Sequence, residues 1–171
     1  MEKLNRVEFL LEVEKRRTDF SECHFEKGMD FSGILLHWFN FTGASLIGAN
    51  LTHQNLGLAN FTRADLRAAN ISESDLFETN FTDTDLRHAE GLGQINRGVK
   101  TIILRTKMTK NASSEEFLLK CSFTKSPNKS VIFYDEDDKI INNNPTEETT
   151  STRPQQDSQK DAGGKKRFPY R

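Results

Sequence analysis

The sequence has few of the residues that mark a disulfide-stapled, metal-binding or membrane-spanning chain. Among its 171 residues are two cysteines, Cys23 and Cys121, too far apart in sequence to suggest a disulfide framework or a zinc site. There is no run of eighteen apolar residues, which argues against a membrane span. The polar start, Met1–Arg6, does not resemble a signal peptide. We therefore expect a cytoplasmic protein, unless a secretion system that reads no such signal exports it to a host cell.

A large net charge is also missing. The chain has 24 basic and 25 acidic residues, so no overall positive excess marks a nucleic-acid binder and we expect no direct nucleic-acid binding. The charge is unevenly spread, however. Residues 18–92 hold eleven acids and four bases, a net charge of −7, whereas residues 1–17 carry +1 and residues 93–171 carry +5.

No arrangement typical of a catalytic or cofactor site is present. Gly91-x-Gly93 lacks the third glycine of a dinucleotide loop, and there is no phosphate-binding G-x-x-x-x-G-K-[ST] motif. Of the four histidines, His37, His53 and His88 are predicted on three different outward sides, so they cannot share a metal. We expect no enzymatic activity, cofactor, metal or small-molecule substrate.

The chain does contain a repeat of five residues. From Phe41 to Leu86 an apolar residue stands at every fifth position, and after a one-residue slip near Gly28 the pattern reaches back to Phe20. Asn or Asp usually precedes the apolar residue, and a small residue precedes that. A period of five fits neither a helix nor a flat strand, but it fits a chain that turns a corner every five residues, with four corners to a coil.

Residues twenty positions apart should then stack as ladders in a shared core, because one coil cannot bury its own apolar face. The fourteen repeat units give about 3.5 coils and a stack roughly 17 Å tall. The four predicted ladders are Phe20, Phe41, Phe61 and Phe81; Phe25, Leu46, Leu66 and Leu86; Phe31, Leu51 and Ile71; and Leu36, Leu56 and Leu76.

Residues 18–90 resemble the pentapeptide-repeat family, whose motif is A-(D/N)-L-x-x. The closest matches are residues 49–51, 59–61, 64–66 and 69–71. The resemblance implies an all-β solenoid, a right-handed quadrilateral β-helix. The pattern departs at the N-terminal end, where Met29, Ile34 and Phe39 replace the small residue. These bulky side chains predict a widened first coil that another element covers.

The segment before the repeat is predicted to be that cover. Solenoid ends expose open core and unpaired edges, so caps are expected. Residues 1–17 form a predicted N-terminal capping helix, with a partner-binding helix as the alternative. Its apolar residues recur at helical spacing over residues 3–17: Leu4, Val7, Leu10, Leu11 and Val13.

The solenoid, assigned to residues 18–92, is predicted to break at Gly91–Gly93. Residues 93–141 then form a cap or a small mixed α/β module. Thr101–Leu104 and Val131–Tyr134 read as short strands, and Ser113 with Glu116 as the capping box of a helix. Residues 142–171 are too polar to order themselves and are predicted to be a disordered tail.

Five residues are predicted to share the outside of one side of the solenoid, and we call them the apolar face: Leu35, His37, Trp38, Leu58 and Phe77. A contiguous exposed patch of this kind usually marks an interface, and the sole tryptophan is a natural anchor. Either the C-terminal segment covers this face or a protein partner docks on it. A homodimer through the face or a solenoid end is a further option.

The acidic balance of residues 18–92 supports an alternative. Some pentapeptide-repeat proteins are acidic rods that imitate duplex DNA and bind DNA gyrase. The resemblance therefore allows a DNA mimic acting on a type II topoisomerase, although this stack is short. The candidate acidic face holds Asp65, Glu73, Asp75, Glu78, Asp83 and Asp85.

Together these features favour a non-catalytic protein–protein interaction module that presents a rigid solenoid surface. The resemblance allows a bacterial, effector-like protein. The other alternative is an accessory domain to an activity that resides in residues 98–141.

Overall fold

A computed structural model describes residues 2–95, 101–103, 105–120 and 131–141. From Asp19 to Glu90 the chain repeats a two-residue turn about every five residues, and most of the turns are separated by a residue that pairs with a neighbouring coil. The described elements, in chain order, are β1 (Lys3–Leu4), α1 (Arg6–Glu14), β2 (His24–Phe25), β3 (Asp85–Leu86), a 3-10 turn (Leu92–Gln94), β4 (Thr106–Thr109), α2 (Ala112–Lys120) and β5 (Val131–Tyr134). None of the described helices is long and apolar enough to cross a membrane.

Parallel backbone pairing joins residues about twenty positions apart. Asn40 pairs with Asn60, which in turn pairs with Asn80, and the other sides of the coil repeat this pattern. The separation is 21 residues at His24–Ser45 but 20 at Asp30–Asn50, which locates the predicted slip near Gly28. The chain is therefore a β-helix solenoid, as the five-residue period predicted.

Most corners of the solenoid are built by local hydrogen bonds. The Oδ1 of Asn60, for example, accepts from the backbone N–H and the hydroxyl of Thr62 at 3.1 and 2.6 Å, an Asx turn. The residue after Thr62, Arg63, has a φ of 59°, and the equivalent residue of other corners is also left-handed. Because the corner depends on local bonds, the outward side chains can vary without loss of the fold.

The four ladders fill the interior. Phe61 stacks between Phe41 and Phe81, with ring centroids 5.2 and 5.4 Å away and ring planes 10° apart on both sides. Phe20 lies 6.2 Å beyond Phe41 at the upper end. Ladder residues from all four sides are fully buried, and the small inward residues fit beside them. The buried members of the other three ladders are Phe25, Leu46, Leu66 and Leu86; Phe31, Leu51 and Ile71; and Leu36, Leu56 and Leu76.

The helix α1 packs against the first coil. Met29, Ile34 and Phe39 are buried there, as their bulk predicted. The fully buried Phe9 of α1 lies over the opening. Its ring centroid is 4.7 Å from that of Phe20 and between 5.2 and 6.4 Å from those of three other phenylalanines: Phe25, Phe31 and Phe39.

The predicted inner face of this helix was right only in part: Leu10 and Val13 pack against the core, but Val7 and Leu11 do not. Leu4 lies in β1, where it pairs with Phe25, and Val7 and Leu11 are 66% and 50% exposed. Phe9, with Leu10 and Val13 beside it, contacts the core instead. The capping box of Asn5 and Glu8 starts the helix directly after the strand. The strand and cap therefore decide which stripe of the helix faces inward.

The stack continues past the glycine break at which it was predicted to end. β4 pairs in parallel with β3, matching Asp85 to Lys107 and Leu86 to Met108, and β5 pairs in parallel with β4. The separation here is 22 residues, so this coil has two more residues than a regular one. Because of these two extra residues, the five-residue period of the sequence does not reveal this coil.

Two details of the C-terminal prediction need correction. The strand lies at Thr106–Thr109 rather than Thr101–Leu104, where Ile102 forms one isolated bridge and residue 104 is not described. The helix is present, but its end is capped by Asn111, whose Oδ1 accepts from Ser114 at 2.9 Å. Ser113 instead accepts from the backbone N–H of Gly93. The strand at Val131–Tyr134 is confirmed, and the predicted tail at 142–171 lies outside the described residues.

Towards the C-terminal end of the stack, Ser and Thr replace alanine at the small inward position, and their hydroxyl groups link neighbouring coils. Each hydroxyl donates to a ladder carbonyl of the preceding coil at 2.6–2.8 Å, so a buried polar group is satisfied. Thr84 donates to Phe61, and Thr106 repeats this bond to Phe81. The full set of donors is Ser74, Thr79, Thr84, Thr101 and Thr106.

Candidate functional site

The apolar face is made of three outward columns beside the ladder of Leu36, Leu56 and Leu76. Trp38 donates its backbone N–H to the carbonyl of Gly57 at 3.0 Å, and Leu58 donates to that of Phe77 at 2.8 Å. These bonds place the predicted residues on three successive coils. The columns are Leu35, Asn55 and Asp75; His37, Gly57 and Phe77; and Trp38, Leu58 and Glu78.

Three of the five residues extend far into solvent. Leu35 is 81% exposed, Trp38 67% and Leu58 41%, while His37 and Phe77 are half-buried. Burial usually rewards large apolar side chains by about 1.5–3 kcal/mol each. The described part of the chain provides little of that burial for these three residues.

Two of the exposed residues also stand at left-handed corners. Trp38 has a φ of 68° and Leu58 a φ of 60°. At the equivalent corners of other repeats, Gly33, Gly43 and Gly48 occupy this conformation, as do small or polar residues such as Ala68 and Arg63. A residue with a Cβ pays roughly 1–2 kcal/mol there, and glycine does not. Neither the core nor the backbone therefore favours a large apolar residue at these two positions.

A hollow above Gly57 holds the imidazole of His37. A Cβ added to Gly57 would lie 2.9 Å from the Nδ1 of His37, so a side chain at this position would push the ring away. The Nδ1 atom is buried and has no hydrogen-bond partner among the described residues. The imidazole also lies beside the indole of Trp38, with ring centroids 4.7 Å apart. The sequence prediction did not single out Gly57. A signal was present, because Gly33, Gly43 and Gly48 each stand two residues after a ladder residue, whereas Gly57 stands one residue after Leu56.

The comparisons with known proteins address the scaffold under this face. A family model for pentapeptide repeats matches residues 18–55 and 44–83, with eight copies. Over residues 18–83 the chain matches the pentapeptide-repeat family. Among solved structures, the chain is similar to a pentapeptide repeat protein from the thylakoid lumen of Arabidopsis thaliana. The two share 28% identity and a TM-score of 0.54, over 61% of this chain and 73% of that one.

No curated protein sequence matches the chain. Pentapeptide-repeat proteins are generally structural or interaction modules rather than catalysts, which is the level of function that family membership supports. Within the described residues, no group of three or more His, Cys, Asp or Glu side chains is arranged to hold a metal ion.

The six acids proposed as one acidic face of the pentapeptide-repeat solenoid do not share a face. Asp83 follows the ladder of Phe81, Asp65 and Asp85 precede their own ladder residues on the next side, and Glu73 follows Ile71 on the third. The remaining two, Asp75 and Glu78, border the apolar face on the fourth side. The five-residue period thus distributes the six acids over the four sides of the coil.

Four of these acids also contact basic side chains. Asp65 and Asp85 each lie 2.7 Å from the arginine two residues later, and Glu73 lies 3.3 Å from His53. Arg105 donates to Asp83 at 2.5 and 2.6 Å and thereby lowers the pKa of that carboxyl. An imitation of duplex DNA requires a continuous row of negative charge, which this arrangement lacks.

The side chain of Arg87 fastens the C-terminal end of the pentapeptide-repeat stack. Arg87 pairs with Asp85 at 2.7 Å and with Asp138 at 3.1 Å, and its guanidinium lies 4.7 Å from the ring centre of Tyr134. Burial raises the pKa of Asp85, but hydrogen bonds and charge from Arg87 lower it by more, so the net shift is downward. His88 also contacts Asp138, at 3.1 Å. These contacts join the last repeat to β5 and the loop after it.

Proposed function

We propose that this pentapeptide-repeat protein is a non-catalytic interaction module that binds a protein partner through the apolar face. The exposure of Trp38 at a left-handed corner carries the proposal, because neither core packing nor backbone preference accounts for an indole there. Exposed contiguous apolar patches are typical of interfaces, and tryptophan is prominent among the residues that dominate binding energy.

The scaffold supports this role. The backbone under the face is hydrogen-bonded to the neighbouring coils, so the patch is presented without a large ordering cost on binding. We take the solenoid to be right-handed and four-sided, with about 3.5 repeat coils, α1 as its N-terminal cap and residues 93–141 as its C-terminal cap. We place the partner in the cytoplasm of a bacterium or of a host cell that receives the protein.

Co-purification from the native cell followed by mass spectrometry tests the proposal. Wild type is compared with Trp38→Ala and Leu58→Ser, and Val7→Ala is the matched control because Val7 is an exposed apolar residue outside the face. We expect both face variants to lose the same protein while the control retains it. Circular dichroism establishes that all three variants stay folded. If Trp38→Ala retains every partner of the wild type, the proposal is wrong.

Neither alternative function gains support from the geometry. The acids are distributed over four sides and largely paired, so we expect the purified protein to leave gyrase supercoiling unaffected. The region proposed for a separate activity, residues 98–141, contributes β4 to the stack and Ile103, Met108 and Phe117 to its core. These contacts support a structural role for the described part of this region.

A further inference from the structure

The apolar face is bordered by acid on the side away from the N-terminal cap. Its first and third columns end in Asp75 and Glu78, and its nine positions include no lysine or arginine. A ligand that carries apolar side chains next to positive charge would complement this surface.

The size of the patch argues for a short ligand. Leu35, Trp38 and Leu58 together expose on the order of 300–400 Å² of side-chain surface, which is the size of a single patch on a typical monomer. A stable dimer buries about 800 Å² on each partner. A second copy of this chain, docked through the face alone, would fall short of that area. One or two aromatic side chains on an extended peptide would match it.

One segment of the chain has this chemistry. Residues 165–171 read Lys-Lys-Arg-Phe-Pro-Tyr-Arg, with four cations, two aromatics and no acid. A proline at position 169 is compatible with an extended bound segment, because proline disfavours a helical conformation of the residue before it. In an extended chain Phe168 and Tyr170 would point to the same side about 7 Å apart, and neighbouring coils are about 4.8 Å apart, so the two rings can reach Trp38 and Leu58 on adjacent coils.

We propose that the segment Lys165–Arg171 of the chain itself binds the apolar face, with Phe168 and Tyr170 against Trp38 and Leu58 and the cations toward Asp75 and Glu78. This inference rests on the proposed function, since it takes the face to be a binding surface. The segment then competes with the partner for the face and lowers its apparent affinity.

The length of the chain permits this contact. Twenty-three residues separate Ile141 from Lys165, and such a length spans up to about 80 Å when extended. The stack, including β4 and β5, is on the order of 25–30 Å tall.

The test uses the full chain and its single tryptophan, Trp38, as the reporter. We compare the emission maximum and iodide quenching of wild type, Phe168→Ala/Tyr170→Ala, and Lys165→Glu/Lys166→Glu/Arg167→Glu. The matched control is Arg153→Glu/Lys160→Glu, which changes charge outside the segment. We expect both segment variants to shift the emission to longer wavelength and to increase quenching, and the control to resemble wild type.

Two further measurements make the result specific. Raising the salt to about 0.5 M should move the wild-type emission toward that of the variants, because screening weakens the ionic contacts. A synthetic peptide of residues 163–171, added to Phe168→Ala/Tyr170→Ala, should restore the wild-type emission, but not when Leu58→Asp is also present. Identical emission of wild type and both segment variants at low salt would overturn the inference.

The two proposals fail in different ways. If the segment variants leave Trp38 unchanged while Trp38→Ala still loses a co-purifying protein, the inference falls and the proposed function stands. If the segment variants expose Trp38 but no partner depends on it, the face serves an intramolecular contact. The inference then stands and the proposed function falls.

Discussion

The backbone N–H of Trp38 donates to the carbonyl oxygen of Gly57 at 3.0 Å, so the exposed indole of one coil lies beside the glycine of the next. Because Gly57 has no side chain, the imidazole of His37 fits over it and packs against that indole. A backbone hydrogen bond of the regular solenoid thus lies beside the surface formed by Trp38, His37 and Gly57. Variants at these positions separate what maintains the fold from what serves the surface.

Replacement of Trp38 by glycine should not destabilise the protein. The substitution relieves the cost of a left-handed φ of 68°, which is roughly 1 kcal/mol, and removes a side chain that is largely exposed. We expect an unchanged or slightly higher midpoint in urea unfolding, together with loss of the partner. Phe39→Ala, one residue later and buried, is the control and should cost about 3–5 kcal/mol. A destabilisation of similar size in Trp38→Gly would contradict this account of the face.

Gly57→Ala should be tolerated, whereas Gly91→Ala should not. At Gly57 the new methyl group meets the imidazole of His37, which can rotate away. At Gly91 it would lie 2.5 Å from the backbone nitrogen of Ser72, and the φ of 75° is itself unfavourable. We expect a stability change within about 0.5 kcal/mol for the first and a loss of more than about 2 kcal/mol for the second. Thermal unfolding of both variants measures the difference.

Phe61→Ala should be among the most damaging core substitutions. Its ring is stacked on both sides and fully buried, so truncation leaves a cavity in the centre of the ladder. A loss of about 3–5 kcal/mol is expected, and Phe61→Leu should cost about 1 kcal/mol. Urea unfolding gives both values. Equal, small losses would mean that this side of the solenoid has no continuous aromatic ladder.

Acid should loosen the C-terminal end through Asp85. Its folded-state pKa lies below the ordinary value, so its ion pair with Arg87 stabilises the fold above about pH 4 and is lost as the pH falls through the folded pKa. Asp85→Asn should cost about 1–2 kcal/mol near pH 7 and weaken the acid dependence. Asp137→Asn, at an exposed loop position, is the control. An unchanged acid profile in Asp85→Asn would remove this residue from the explanation.

Truncation after Glu90 should unfold or aggregate the repeat segment. The cut removes Ile103, Met108 and Phe117, which cover the last regular coil, and exposes its backbone edge. Phe117→Ala in the full chain is a milder version, with an expected loss of about 3–5 kcal/mol. Size-exclusion chromatography and circular dichroism detect the outcome. A monomeric, folded truncation would show that residues 91–141 are a separable module.

Part of the fold could be predicted because every repeat uses the same short-range rule. An apolar residue at every fifth position, with Asn or Asp before it, specifies both a buried ladder and an Asx turn, so Phe41, Phe61 and Phe81 could be placed in advance. The prediction failed where the rule is broken. The two extra residues in the coil that ends at Met108 displaced its register, and the helical spacing in α1 did not reveal that Phe9 faces inward.

The amino-acid sequence alone determined the period, the ladders and the placement of Leu35, Trp38 and Leu58 outside the core, since these depend on spacing within single coils. Only the tertiary structure decided that the stack continues beyond Gly91, which stripe of α1 faces inward and how the acids are distributed and paired. Those features depend on contacts between residues twenty or more positions apart, and such contacts follow from how insertions and caps shift one coil over another.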